Sequence, residues 1–181
     1  MFGTAKDEYW YEDLAYVYVL DPRAGSERIV SMDVFASDMI MRHRPFWATD
    51  GQVLLFPYME RGNFDIWAVP ASGGVATRVT HLGGAMPSFH ATPDGRHLAF
   101  VQSGPTKGSE VFYLPAKGGQ PRRISGFAPH WSGLTDPVEI SFASFDGLRI
   151  QGFLFRPAET ESGQRCPGLV QVHGGGTNSY L

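Results

Sequence analysis

Short apolar and aromatic runs alternate with turns rich in Gly, Pro and Asp through most of this chain. In residues 66–69, both alternating sets of positions are nearly all apolar. Because successive side chains of a strand point to opposite faces, a strand of this kind must be buried on both sides, as in stacked sheets. The pattern predicts a mostly β protein built from short strands and tight turns.

The same order of features occurs twice in the middle of the chain. Each copy has an aromatic residue, an Asp-Gly turn, a strand that closes on Phe, an acid at the start of an apolar strand, a Gly-Gly pair and a basic strand. Asp50 and Asp94 lie 44 residues apart, and Pro70 and Pro115 lie 45 residues apart. A weaker third copy, with its turn at 21–25, precedes them. A period of roughly 40–45 residues is typical of four-stranded β-propeller blades.

The turn residues have defined roles in these repeats. In residues 92–95, Pro presets φ, Asp can bond its own backbone and Gly accepts a left-handed conformation. The Gly-Gly pairs at 73–74 and 118–119 predict hairpins closed by primed turns. Because propellers need roughly four to eight blades and residues 1–126 hold three at most, we expect this chain to be a fragment of a longer protein.

The repeat ends after Ser125, and a different pattern follows. Two apolar segments, 138–144 and 148–155, flank an Asp-Gly pair and predict a hairpin. The apolar run at 169–172 predicts a buried strand, which ends at a histidine and three glycines. We therefore place a domain boundary at 134, with propeller blades in 1–134 and a second, truncated domain in 135–181.

The three glycines suggest a backbone that closely approaches another group. After the third strand of α/β-hydrolases, a His-Gly-Gly-Gly-type loop supplies a backbone N–H to the oxyanion hole. One such donor stabilises the charge of acyl transfer by roughly 2.7–4 kcal/mol. On the motif alone, a glycine-rich loop that holds a phosphate, or that holds nothing, remains an equal alternative.

Taken together, the propeller repeats, the hairpin around Asp146-Gly147 and the Pro-Gly-Leu-Val-Gln-Val-His-Gly-Gly-Gly run resemble the prolyl oligopeptidase family of serine peptidases. The resemblance is strongest to its acylaminoacyl-peptidase and dipeptidyl-aminopeptidase-like members, whose propellers are of the TolB type. It implies a partial TolB-type β-propeller of two to three blades, followed by the first strands of an α/β-hydrolase domain.

The resemblance also implies roles for specific residues. His173, Gly174 and Gly175 would form the oxyanion-hole loop, with Gly176 where many relatives carry Pro. The Ser, Asp and His of the catalytic triad would lie beyond Leu181, since no Gly-x-Ser-x-Gly occurs in this chain. The chain alone is therefore expected to be inactive. A non-catalytic TolB-like interaction module and an esterase of the same fold remain alternatives.

Composition and net charge exclude some classes of binding partner. Hydrophobic residues are 43% and charged residues 18% of the chain, and the net charge of −3 argues against nucleic acid or an anionic membrane. We expect a peptide substrate, leave homo-oligomerisation open and predict no cofactor. The single Cys166 cannot form an internal disulfide, and the first residues lack the apolar segment of a signal peptide, so we expect a cytoplasmic protein.

The remaining candidate residues have weaker signals. No metal site is predicted, because the histidines lack metal-ligand spacing: His43, His81, His90, His97 and His130. Arg122 and Arg123 are more simply a solvated pair than a peptide-carboxylate site, and Asp65 is a turn-bonding residue rather than a catalytic acid. Packing between blades is the interpretation for three tryptophans: Trp47, Trp67 and Trp131.

Overall fold

The computed structural model describes residues 2–4, 15–36, 44–129, 131–159 and 165–172, and all regular elements in these ranges are strands. They form three antiparallel sheets and one hairpin. The predicted fold class, a partial propeller, is confirmed. The described residues contain no helix of the length and apolar character needed to cross a membrane.

The first sheet is the weaker third copy, and it has three strands. These are β1 (Phe2–Thr4), β2 (Ala15–Asp21) and β3 (Ser26–Ala36), in the order β1-β2-β3. The predicted turn between β2 and β3 is present, and Asp21 Oδ1 accepts hydrogen bonds from the amides of Arg23 at 2.9 Å and Ala24 at 3.1 Å.

The second and third sheets are the two strong repeats, and each has four strands in sequence order. The second sheet comprises β4 (Phe46–Trp47), β5 (Val53–Glu60), β6 (Asn63–Pro70) and β7 (Thr77–Arg78). The third comprises β8 (Ala85–Ala91), β9 (His97–Gly104), β10 (Lys107–Pro115) and β11 (Arg122–Arg123). The basic strand β7 covers two residues, and beyond it the Thr80 hydroxyl, instead of a backbone carbonyl, accepts the Ile66 amide at 2.9 Å.

Burial on both faces, predicted from the apolar alternation, is confirmed in the second sheet. Leu54, Phe56 and Val69 belong to a core cluster shared with the first sheet, whereas Leu55 and Ile66 belong to a cluster shared with the third sheet. All five side chains are at most 2% exposed. The second sheet is thus the middle layer of a stack, as a blade within a propeller would be.

The Asp-Gly turns take the predicted form. The Gly95 amide donates to the Thr92 carbonyl at 2.9 Å, and Asp94 Oδ1 accepts the Arg96 amide at 3.0 Å. Gly95 has φ of +65°, and a Cβ placed there would lie 2.5 Å from the Trp47 carbonyl oxygen. A glycine is therefore required both by the turn and by the closeness of the second sheet.

The prediction of primed turns at the Gly-Gly pairs is wrong. The Gly73 amide donates to the Pro70 carbonyl at 2.9 Å, and the Gly118 amide does the same to Pro115 at 2.9 Å. The central turn residues are therefore the Ala-Ser and Ala-Lys pairs that precede the glycines. Glycine is favoured at the fourth position of type I turns, the commonest class, which accounts for Gly73 and Gly118.

The predicted hairpin is present as β12 (Val138–Ala143) and β13 (Arg149–Leu154), which pair only with each other in the described chain. One face is apolar and exposed, with Val138 paired to Leu154 and Phe142 to Ile150. The opposite face carries Glu139.

The predicted buried strand at 169–172 is absent from the structure. Residues 165–172 carry no regular structure, and Leu169, Val170 and Val172 are 92%, 88% and 85% exposed. A buried parallel strand needs neighbours on both edges and layers on both faces, and none of the described strands pairs with this segment.

Candidate functional site

In each strong repeat, an acid near the start of the third strand of the sheet forms hydrogen bonds with the connection that follows the fourth strand. In the second sheet, Asp65 is 1% exposed, and its Oδ1 accepts the Thr80 hydroxyl at 2.6 Å and the Leu82 amide at 2.9 Å. The Arg78 guanidinium donates to Oδ2, with Nε at 3.1 Å, and forms an ion pair with it. The interpretation of Asp65 as a turn-bonding residue is consistent with these contacts.

Glu110 takes the equivalent position in the third sheet. Its carboxylate accepts the Ser125 hydroxyl and the amides of Ala128 at 2.9 Å and Phe127 at 3.3 Å. The Ser125 hydroxyl bond, followed by the Ala128 amide, holds the pKa of Glu110 below its usual value near 4.5. Glu110 is therefore ionised at neutral pH, with its charge held by three donors.

A cavity of about 670 Å³ lies next to Glu110. Its walls come from the connection after β7, the β9–β10 turn, the connection after β11 and the inner face of the hairpin. Charged side chains line it: Lys107, Glu110, Arg123, Asp136 and Glu139. Apolar surface is contributed by Phe112 and Phe153. Cavities of roughly 300–1,000 Å³ that combine apolar walls with a few polar groups are of the size that holds small ligands.

Backbone packing fixes one wall of this cavity. The Gly84 amide donates to Asn63 Oδ1 at 2.9 Å, and its carbonyl accepts the Phe64 amide at 2.8 Å. Gln102 Nε2 donates to the Gly83 carbonyl. A Cβ at Gly84 would collide with the Ser103 carbonyl, so only glycine fits at this position.

Arg61, in the turn between β5 and β6, joins the hairpin to the second sheet. Its guanidinium forms an ion pair with Glu139, and its carbonyl accepts the side-chain amide of Gln151 at 3.1 Å. Arg61 has φ of +52°, the one positive value among the described residues that are not glycine. This backbone conformation costs of order 1–3 kcal/mol, so the neighbouring contacts must hold it.

The structure separates the predicted pair Arg122 and Arg123. The Arg122 guanidinium lies 5.5 Å from the ring centroid of Tyr113, whereas Arg123 lines the cavity. Only the second arginine is therefore in a position to meet a ligand in the cavity.

The described histidines form no metal site. His81, His90 and His97 are exposed, and no group of three ligating side chains occurs among the described residues. His97 Nδ1 lies 2.8 Å from the Tyr113 hydroxyl. His43 and His130 lie outside the described residues.

Of the three tryptophans interpreted as packing between blades, all within the described residues, Trp67 takes that role. Trp67 packs on the cluster between the first and second sheets and makes an edge contact with Tyr58 at 5.2 Å between centroids. Trp47 and Trp131 are 47% and 46% exposed. Cys166 is an exposed free thiol.

The predicted oxyanion-loop residues, His173, Gly174 and Gly175, lie outside the described residues, as does Gly176. Their assignment stays a prediction. Sequence reasoning missed Glu110 and Arg61. The repeat itself was the signal for Glu110, since this acid is 45 residues from Asp65.

The proteins similar to this chain include a peptidase, a TolB protein and a solved prolyl endopeptidase. It is 24% identical to the uncharacterized peptidase YuxL of Bacillus subtilis, over 93% of this chain and 27% of that protein. It is 24% identical to the Tol-Pal system protein TolB of Francisella tularensis, over 55% of this chain and 26% of that protein. A solved prolyl endopeptidase matches 81% of this chain and 22% of its own, with 13% identity and a TM-score of 0.58.

No protein-family model matches the chain. The chain spans about a quarter of the length of these curated relatives. The similarities confirm the predicted resemblance to the prolyl oligopeptidase family, and the structural match shows the shared fold.

Proposed function

We propose that this chain forms part of a serine peptidase that hydrolyses short peptides through an acyl-enzyme. One observation carries the proposal: the similarity to a peptidase covers 93% of the chain, whereas the similarity to TolB covers 55%. A protein that consisted only of a propeller would not explain why the similarity to the peptidase extends further along the chain than the similarity to TolB. The hairpin of β12 and β13 follows the third sheet and contacts the second through Arg61. This supports the order of a propeller followed by a hydrolase domain.

In this proposal, the sheets limit access and the segment after 172 supplies part of the oxyanion hole. The backbone amides around Gly174 and Gly175 would stabilise the charge that develops on the carbonyl oxygen. The nucleophile and its base would come from residues outside 1–181. The proposal includes a cytoplasmic location, which the exposed thiol of Cys166 supports, since a reducing compartment keeps thiols free.

A fluorophosphonate probe tests the reaction type on the full-length protein. The probe labels a serine only where a base activates it and an oxyanion site receives the phosphonate oxygen. We expect stoichiometric labelling at one serine outside residues 1–181. Absence of labelling would favour the interaction module, and labelling within 1–181 would overturn the assignment of roles.

Substitution of Gly175 tests the loop. Gly175→Val should lower turnover by about 100-fold or more, because the branched side chain would occupy the oxyanion position and disfavour a positive φ. Gly147→Ala is the matched control, since Gly147 lies in the hairpin turn with φ of +86° and no atom within 4 Å of a Cβ. Parallel assays with peptide and ester substrates separate a peptidase from an esterase.

A further inference from the structure

Three Asp-Gly turns in the described part of the chain share one pattern of hydrogen bonds. In each turn, the Gly amide donates to the carbonyl three residues before it: Gly51 to Ala48 at 2.9 Å, Gly95 to Thr92 at 2.9 Å, and Gly147 to Ser144 at 3.0 Å. In each, the Asp carboxylate accepts the amide two residues after it, at 3.0, 3.0 and 3.1 Å. The chain thus presents the same dipeptide in the same turn with three different sets of neighbours.

An Asp-Gly pair can isomerise without an enzyme. The Gly nitrogen attacks Cγ of the Asp carboxyl group, a bond forms between them, and the amide proton and the carboxyl hydroxyl leave as water, which gives a succinimide ring. Water then opens the ring, and opening at the original backbone carbonyl leaves the chain joined through Cβ, as isoaspartate. One water is lost and one is added, so no other reactant is needed. Glycine favours the closure because it has no Cβ beside the attacking nitrogen.

A hydroxyl at the first position of the turn binds two of the three aspartates. Thr92 Oγ1 donates to the Asp94 carboxylate at 2.5 Å, and the Ser144 hydroxyl donates to that of Asp146. Each carboxylate must give up this bond before its Cγ can turn toward the Gly nitrogen. The Thr92 hydroxyl lowers the pKa of Asp94, and the Leu148 amide and the Ser144 hydroxyl lower that of Asp146. A lowered pKa leaves less of the protonated carboxyl group, from which water is lost.

Asp50 lacks this restraint. The first residue of its turn is Ala48, which has no hydroxyl, and among the described residues the Gln52 amide is the one donor to its carboxylate. Asp50 is exposed, and a Cβ at Gly51 would meet no atom within 4 Å. At Gly95, in contrast, the same position lies 2.5 Å from a backbone oxygen of the second sheet. The Asp50 turn therefore has the fewest contacts to break before it can open.

We propose that Asp50-Gly51 is a site of spontaneous modification, which forms succinimide and isoaspartate faster than the other two Asp-Gly pairs. The change inserts Cβ of Asp50 into the main chain between β4 and β5. The Ala48 amide donates to the Val53 carbonyl at 2.9 Å across this turn, so an added backbone atom disturbs the first pairs of the two strands. The modification involves no part of the proposed peptidase site.

Ageing of the purified full-length protein at neutral pH tests the site. Carboxyl methylation by an isoaspartyl methyltransferase measures the isoaspartate formed, and electron-transfer mass spectrometry of proteolytic peptides assigns it to one turn. We expect isoaspartate to accumulate at Asp50 at least about threefold faster than at Asp94 or Asp146, a factor that the loss of one hydrogen bond can produce. In urea the three rates should converge, because each aspartate is followed by glycine and the turns are then absent.

Reciprocal variants test the role of the hydroxyl. Ala48→Ser supplies the missing donor and should slow the reaction at Asp50 by about three- to tenfold. Ser144→Ala removes the donor and should accelerate the reaction at Asp146 by a similar factor. Asp50→Glu is the control for the assignment, since its longer side chain would have to close a six-membered ring, and the signal from this turn should disappear.

Three results would overturn the proposal. They are equal rates at the three turns of the folded protein, the same ranking of rates in urea as in the folded protein, and reciprocal variants that leave the rates at Asp50 and Asp146 unchanged. The first two need no variant to fold. None of these measurements uses the fluorophosphonate probe, so failure of this site and failure of the proposed function are distinguishable.

Discussion

The second and third sheets each use an acid to hold the connection that follows the fourth strand, and the two acids differ in length. Asp65 reaches one hydroxyl and one amide and completes its bonding with Arg78. Glu110 is one methylene longer and reaches one hydroxyl and two amides without an arginine. A repeat can therefore keep an acid that holds the following connection while it changes which neighbours bind that acid. Arg123 acts on Glu110 through its charge rather than through a hydrogen bond.

Asp65→Asn should give the largest loss of stability. It removes the ion pair from Arg78, whose side chain is only 30% exposed, and we expect a loss of about 2–3 kcal/mol in the free energy of unfolding. Urea denaturation measures it. Glu110→Gln is the matched variant and should lose less, since no ion pair is broken. Equal losses would show that Arg78 contributes nothing to the difference.

Gly95→Ala should give the next largest loss in the free energy of unfolding. Gly51→Ala is the equivalent substitution in the other repeat. Both glycines have φ of +65°, but only a Cβ at Gly95 meets backbone, 2.5 Å from the Trp47 carbonyl oxygen. We expect about 1 kcal/mol for Gly51→Ala from the backbone conformation and at least about 1 kcal/mol more for Gly95→Ala. Thermal unfolding compares them, and equal costs would mean that the sheets separate easily at this contact.

The pH dependence of stability should differ between the wild type and Glu110→Gln. Because hydrogen bonds lower the folded pKa of Glu110, its contribution is complete above the unfolded pKa, near 4.5, and is lost as the pH falls through the folded pKa. The wild type should therefore lose its advantage over the glutamine variant below about pH 4.5. Asp94 and Asp146 also have lowered pKa values, but they are present in both proteins and cancel in the difference.

Arg61→Gln should have the smallest effect. Arg61 and Glu139 form an exposed ion pair, which is worth less than about 1 kcal/mol. The change should raise amide exchange in β12 and β13 and leave exchange in β5 and β6 unaltered. Faster exchange throughout the second sheet would show that Arg61 supports the sheet rather than the hairpin.

The strands and their stacking were predictable because both depend on local, repeated signals. The 44- to 45-residue spacing placed the Asp-Gly turns and the apolar faces of β5 and β6 correctly. The segment at 169–172 was predicted wrongly because a buried strand depends on neighbours from elsewhere in the chain, which its own sequence does not encode.

The cavity was not predictable for a related reason. Its walls come from three connections and the hairpin, which are distant in sequence and share no motif. The hypothesis for Arg122 and Arg123 found the correct region, but only the structure shows that the two side chains point to different neighbours.

Because β5 is buried on both faces, the pattern of its own side chains does little to fix its register against the neighbouring strands. Where one face of a strand is polar, a shift by one residue exposes apolar side chains and is strongly penalised. In β5, a shift would exchange Leu55 with Leu54 or Phe56, so one apolar side chain would replace another. Alignment of the strand must therefore depend on the turns at its two ends, at Asp50-Gly51 and Arg61-Gly62. Insertions at these turns should be far less tolerated than exchanges of one aliphatic residue for another within the strand.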